Sequence, residues 1–394
     1  FELSRSEREV MNHATFRRCM PPLTVAASSA VAAMTWWQTR PNASTQCETP
    51  PQPSTAAGGN KLLFLGTGSS TGCPKPLCSL LFQEEAAAAN APKVQPSPDI
   101  KNLQEQFEPF CKVSRLAIQG DPRTNKDYRN NPSLLIQFQD DNNKTRNIVI
   151  DVGKTFRETA LRWMPPHQVQ SLDAVILTHH HMDAVAGLDD LRGFQSFSRP
   201  VPEAPPVRTP MHIYLSQECF DQVSRQFPWL FPKSAPPPVT KDEHGNTIVV
   251  KRDVAALDVT IIDDYQPFDA MGLKVIPLPV WHGEDLICMG YAFTLRSSGG
   301  KTTNVVYLSD ISRMKDETLE YIQTKLPPTD IFVVDTLLED RVHPVHFSLK
   351  QASDLAIQIG AKKTYLVGMS CDAFVPHDEM NAKLEARSDL DIRL

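Results

Sequence analysis

The chain has 394 residues, of which 41% are hydrophobic and 22% charged, and a formal net charge of −6. That apolar share suits a globular core and argues against a disordered chain, while the acidic balance disfavours a surface devoted to nucleic acid, which draws on Lys and Arg. Eight irregularly spaced cysteines suggest no disulfide framework and read as thiols, free or metal-bound, in a reducing compartment; no apolar run is long enough to span a bilayer.

Residues 1–60 read as a leader and linker. Between Met11 and Gln46 there is no acidic residue, Arg17, Arg18 and Arg40 are basic, and Ala, Ser and Thr are frequent. That is the composition of an organelle transit peptide, and the apolar run over 25–33 also has the character of a weak signal sequence. A disordered leader without an address is the alternative. The expected location is the cytoplasm, or a mitochondrion or plastid if the leader is a transit peptide, and not the exterior. Residues 41–60 are rich in Pro, Gly and polar residues, as in a linker.

From residue 61 to 394 one hydrolase-sized domain is expected. A buried strand over 61–65 ends in Gly66-Thr-Gly68, whose glycines are expected to let the turn pass close under a bound group. Runs rich in Val, Ile and Leu predict further strands over 133–138, 147–151, 174–178, 212–215, 247–251, 259–262, 273–280, 289–295, 305–309, 331–335 and 364–367. Helical spacing predicts helices over 154–163, 217–227, 316–323, 349–359 and 378–386. Ser348 followed by Gln351 is a capping-box signal for the fourth. Residues 84–109 and 199–210 read as loop insertions.

The chemistry concentrates at Ala174-Val-Ile-Leu-Thr-His-His-His-Met-Asp183. An apolar strand runs straight into three imidazoles. Those of His179 and His181 point the same way in extended chain, because the strand period is two. Asp183 extends the set. Two imidazoles and a carboxylate suit zinc and an attacking water. Consecutive histidines at a strand end are costly to bury without such a purpose.

This segment resembles the HxHxDH signature of the metallo-β-lactamase superfamily. Other signposts follow in order: Phe64-Leu-Gly-Thr-Gly-Ser-Ser-Thr-Gly72, Ile148-Val-Ile-Asp-Val-Gly153, Pro279-Val-Trp-His282-Gly, Tyr307-Leu-Ser-Asp310 and His343-Pro-Val-His346-Phe-Ser-Leu. They are similar to the branch that includes ribonuclease Z and the cyclic phosphodiesterase of phosphonate breakdown. The resemblance covers residues 61–386. It implies an α/β fold, a four-layer αββα sandwich with two mixed sheets. It implies one or two zinc ions, with manganese as a substitute. His179, His181 and His282 would hold the first ion, Asp310 would bridge two, and Asp183 would hold the second and orient the water. His346 matches the histidine that protonates the leaving group.

The chain departs from the pattern twice. Ala184 stands where a histidine follows the aspartate, and the last metal histidine is missing after the strand over 364–367. Cys371 lies near that place and His377 a little further on; both are candidate ligands of the second ion. Cys73, Cys78 and Cys111 resemble a cysteine cluster that holds a structural zinc in relatives, without a fourth ligand evident. His180 is expected to point away from its neighbours, and His343 to partner His346 or to stiffen the turn at Pro344.

The expected function is metal-dependent hydrolysis of a small cyclic or nucleotide-like phosphodiester, with Asp183 and His346 as catalytic groups. The expected partner is that small molecule rather than nucleic acid or membrane, with a homodimer left open. One alternative is a tRNA 3′-end endonuclease, although no Lys/Arg-rich arm is evident. Another is a metal-binding module with weak or no catalysis.

Overall fold

The computed structural model describes residues 59–82, 97–199, 207–231, 239–241, 243–245, 247–249, 254–297 and 299–394. The expected leader lies outside them up to residue 58, as do 84–96 and 200–206 of the two expected insertions.

Two mixed sheets carry the fold. The first has, in spatial order, β1 (Lys61–Gly66), β2 (Ser133–Gln139), β3 (Thr145–Ile150), β4 (Ala174–Ile176), β5 (Met211–Leu215) and β6 (Leu257–Ile261). The second has β7 (Phe268–Ala270), β8 (Leu273–His282), β9 (Leu286–Arg296), β10 (Thr302–Leu308), β11 (Ile331–Asp335), β12 (Lys363–Val367) and β13 (Ile392–Arg393). Pairing is antiparallel from β1 to β3 and parallel from β3 to β6. It is antiparallel from β7 to β10 and parallel from β10 to β13.

Side-chain alternation explains the layers. Leu134, Ile136, Ile148, Ile150 and Ile176 of the first sheet meet Val275, Tyr291, Phe293, Val305 and Val333 of the second in one core. The alternate residues Leu135, Val149, Val175 and Ile213 face outward and are covered by helices α1 (Phe156–Trp163) and α2 (Gln217–Gln226). On the far side Leu278, Val306, Phe332 and Leu366 are covered by α3 (Asp316–Lys325), α4 (Leu349–Ile359) and α5 (His377–Glu385). Burial on both faces is why these strands read as unbroken apolar runs rather than alternating ones. The result is the expected αββα sandwich. Helix α4 starts with the expected capping box, Ser348 and Gln351 bonding reciprocally, and ends at Gly360 with φ 72°.

Some expectations need correction. Part of the insertion expected as loop over 84–109 is a helix, Pro98–Phe107, capped by Ser97, whose side chain accepts from the Ile100 amide. It buries none of its residues; Ile100, Leu103 and Phe107 do fall at helical spacing, but they are few and lie in a polar, Pro-containing context that reads as loop. In the second insertion, Val207–Arg208 pairs with Phe197–Ser198. Of the strand expected over 247–251, Thr247–Val249 pairs with Val239–Lys241, and residues 250–251 lie outside the described residues. Cys78 and Cys111 are joined in a disulfide rather than standing as thiols. Two short helices, Pro76–Leu81 and Lys112–Ala117, bring them together, an approach that sequence spacing does not reveal. Cys73, Cys219, Cys288 and Cys371 are free and buried. Gly66 and Gly68 serve a different neighbour from the one expected. A Cβ on Gly66 would lie 1.9 Å from the Asn131 carbonyl oxygen, and one on Gly68 would lie 2.8 Å from that of Arg129, so they admit the 129–131 backbone.

Candidate metal centre

The parallel pairing points β3, β4, β8, β10, β11 and β12 the same way within their sheets, and the polar residues that interrupt the apolar pattern follow their C-terminal ends: Asp151, His179, His282, Asp310 and Asp335. In open α/β sheets this is where ligands bind. The segment His179–Asp183 is held down by backbone hydrogen bonds from Val152 to the Ala184 carbonyl (2.8 Å), from Lys154 to that of Met182 (3.1 Å) and from Gly187 to that of Val152 (2.7 Å). Gly153 makes this possible, because a Cβ there would lie 1.8 Å from the Asp183 carbonyl oxygen.

Three imidazoles converge. His181 Nδ1 and His282 Nε2 are 3.3 Å apart, and His179 Nε2 lies 3.1 Å from Asp310 Oδ2. Atoms bound tetrahedrally to one zinc at 2.0–2.1 Å stand about 3.3 Å apart, so each of these two separations suits a pair of ligands on one ion. The remaining nitrogens of two of the rings are engaged. His282 Nδ1 meets the Val345 carbonyl oxygen at 2.8 Å, and His179 Nδ1 meets Thr178 Oγ1 at 2.9 Å. The Thr178 hydroxyl in turn donates to Asp151 Oδ2 at 2.8 Å. Such partners fix ring orientation in metal sites. His179 Nε2 is fully buried and makes no well-aligned hydrogen bond, as fits an atom that faces a cation.

Electrostatics agree. Burial and the neighbouring His179 push both His181 and His282 down to about 4, which leaves their ring nitrogens neutral and able to ligate at neutral pH. Burial together with Asp310 raises Asp183 to about 6. Asp310 is held well below the ordinary carboxylate range against its burial, chiefly by His179.

The structure gathers His179, His181 and His282 as one donor group and His179, Asp183 and Asp310 as another, with the donor atoms of each within 4.8 Å. His346 lies at the rim of the same site, its ring centroid 4.9 Å from that of His282. Its Nδ1 meets Asp335 Oδ2 at 2.7 Å and lies 3.9 Å from Asp310 Oδ1. Burial disfavours a charged His346, but the Asp335 carboxylate outweighs it and raises the ring to about 9. Asp335 is fully buried and was not singled out from the sequence, where one acid at a strand end forms no pattern.

Two expected second-metal ligands are elsewhere. Cys371 Sγ accepts from Ser114 Oγ at 3.0 Å and pairs with the Cys73 thiol, which it pushes up while its own falls to about 6. Four residues past the strand end at Val367, the chain has already turned toward the Lys112–Ala117 helix. His377 opens helix α5, where its Nε2 is 3.0 Å from Asn381 Nδ2. Neither belongs to a donor group of the site. His180 does not face the convergence point, and its carbonyl accepts from Gln226 Nε2 at 3.2 Å. His343 takes the local role, its Nδ1 accepting from the Val345 amide at 3.3 Å.

Comparison with known proteins agrees with this geometry. The sequence profile of the beta-lactamase superfamily domain matches residues 146–369, more than half of the chain, and the protein belongs to that superfamily. A diphosphatase of the PhnP family shares the fold, with a TM-score of 0.53 at 23% identity over 85% of this chain and 94% of its own. The metallo-β-lactamase-fold protein YhfI from Bacillus subtilis gives a TM-score of 0.47 at 17% identity, over 85% of this chain and 95% of its own. An octanoyltransferase from Porphyromonas gingivalis is 28% identical over 310 residues, 79% of this chain. The chain spans 46% of that protein's length.

Proposed function

We propose that the protein is a zinc-dependent phosphodiesterase acting on a small cyclic or nucleotide-like diester, with manganese able to stand in for zinc. The observation that carries this reading is the donor spacing at His179, His181, His282 and Asp310, beside a carboxylate and a histidine that are not needed to hold the ion. The fold shared with a PhnP-family diphosphatase supports it.

When bound, zinc supplies Lewis acidity and lowers the pKa of a water toward about 7. The chain's own residues do the rest. Asp183, close to Asp310 and its pKa raised by burial, orients the attacking water and accepts its proton. The water oxygen bonds to phosphorus as the bond to the leaving oxygen breaks. Asp335 holds His346 by Nδ1, so Nε2 is the nitrogen left to give a proton to that oxygen. His181 is the exposed member of the set, so substrate has a way in.

Turnover of bis(p-nitrophenyl) phosphate and of 2′,3′-cyclic nucleotides tests the reading. Hydrolysis is expected to vanish on chelation, to return with zinc or manganese, and to be lost in His179→Ala. His346→Ala is expected to cost 10²–10⁴-fold, roughly the range for a general acid, on the cyclic nucleotide and much less on the nitrophenyl ester, whose leaving group needs no proton. Bound zinc without turnover of either diester would overturn the proposal in favour of a metal-binding module.

A further inference from the structure

The superfamily resemblance allows a second ion beside the first, and the donor set of this chain does not fit a tightly held pair. The first position has His179, His181 and His282 with donor atoms within 4.8 Å of one another, and Asp310 joins them through its 3.1 Å approach to His179. The second has lost each of its nitrogen or sulfur donors for a separate physical reason. Ala184 offers no donor atom, and its methyl group is packed in the outer core with Val185 and Leu188. Gly368 lies at φ 80°, and a Cβ built on it would stand 2.1 Å from Asp335 Oδ1. The Asp335 carboxylate therefore fills the room beside residue 368. Cys371 is tied to Ser114 and Cys73, and His377 to Asn381.

His346 and Asp335 form, with Asp310, a third group of donor atoms within 4.8 Å and are the remaining candidates to replace the lost ligands. Their spacing speaks against it. His346 Nδ1 and Asp335 Oδ2 are 2.7 Å apart, a charge-assisted hydrogen bond, whereas two ligands of one zinc stand about 3.3 Å apart. What remains beside the first ion is Asp183 and Asp310. Two carboxylates, one of them shared, suit a hard, largely hydrated cation held loosely.

We infer that this chain holds one tightly bound transition-metal ion, at His179, His181, His282 and Asp310, and that the neighbouring position, left with two carboxylates, holds no second transition-metal ion tightly. The inference rests on the metal-dependent reading above and deepens it: the hydrolysis proceeds at a single-ion centre. Asp335 and His346 occupy the side of the site where a second ion would otherwise find ligands.

Crystals of the full chain grown with excess zinc, with diffraction recorded on both sides of the zinc absorption edge, test this by position. One anomalous peak among His179, His181 and His282, with none between Asp183 and Asp310, is the expected result. A second peak of comparable height about 3.5–4 Å from the first would overturn the single-ion inference and leave the proposed activity standing. No peak at all would sink both. Manganese-loaded protein provides a solution check. The expected spectrum in electron paramagnetic resonance is the six-line signal of isolated ions, and an exchange-coupled spectrum would contradict the inference.

Discussion

At the scale of single residues, the site depends on side chains that never reach the substrate. His179 can offer Nε2 to an ion because Nδ1 is engaged by Thr178, and Thr178 is aligned by Asp151, which accepts from both its amide and its hydroxyl at 2.8 Å. Thr178→Val keeps the shape and removes the relay. It is expected to weaken zinc binding roughly 10–100-fold, the usual cost of losing such a partner, as read by competition with a chromophoric chelator. An unchanged affinity would show that the ring is held by packing alone. The sequence reveals the ligands better than these supports. Three histidines at the end of an apolar strand are conspicuous, Asp183 extends the same segment, and His282 and Asp310 stand at the ends of other strands in the same way. Asp335 escapes notice because its partner, His346, lies in a loop, and only folding shows that the two meet. Cys371 misleads for the converse reason. It sits near a strand end in the sequence, but the turn at Gly368 carries it away from the site.

Elements show the same division between what burial writes into a sequence and what it does not. The central strands are legible because both faces are covered, so nearly every position is apolar. The helix at Pro98–Phe107 is less so: it buries nothing, and its three apolar residues at helical spacing stand in a polar, Pro-containing stretch. The turn joining β2 to β3 is built on one carboxylate. Asp140 Oδ1 accepts from the amides of Asn142 and Lys144, each at 2.9 Å, and Oδ2 from Arg146 Nε at 2.8 Å. The Lys144 amide, and then the Arg146 guanidinium, hold its pKa below the ordinary value of 3.8. A carboxylate depressed in the folded state stabilises the fold above its unfolded pKa, and that contribution is lost as pH falls through the folded value. Asp140→Asn is therefore expected to melt a few degrees below the parent at pH 7. The gap should narrow as pH drops below the ordinary value of 3.8. No gap at any pH would mean that the turn relies on accepting the amide hydrogen bonds, which Asn preserves, rather than on charge.

At the scale of the whole molecule, the metal ligands come from both sheets, His179 and His181 following the first and His282 and Asp310 belonging to the second. Their spacing is therefore set by how the sheets are fixed to each other. Beneath the site two hydrogen bonds cross the gap: the Met289 amide donates to the Thr178 carbonyl at 2.9 Å, and Tyr291 Oη donates to that of Leu177 at 2.5 Å. Tyr291 is fully buried in the core between the sheets. Removing its hydroxyl would leave the Leu177 carbonyl without that partner, at a cost of about 1–3 kcal/mol. Tyr291→Phe is thus expected to lower both the melting temperature and zinc affinity, because the change loosens the strand that leads into His179. Phe293→Leu, in the same core but two residues further along β9 from its site end, is expected to lower the melting temperature and leave zinc affinity unchanged. If both variants lose affinity in proportion to stability, metal binding follows global stability. If only Tyr291→Phe does, the Tyr291–Leu177 bond is what holds the strand leading into His179 in the place that metal binding requires.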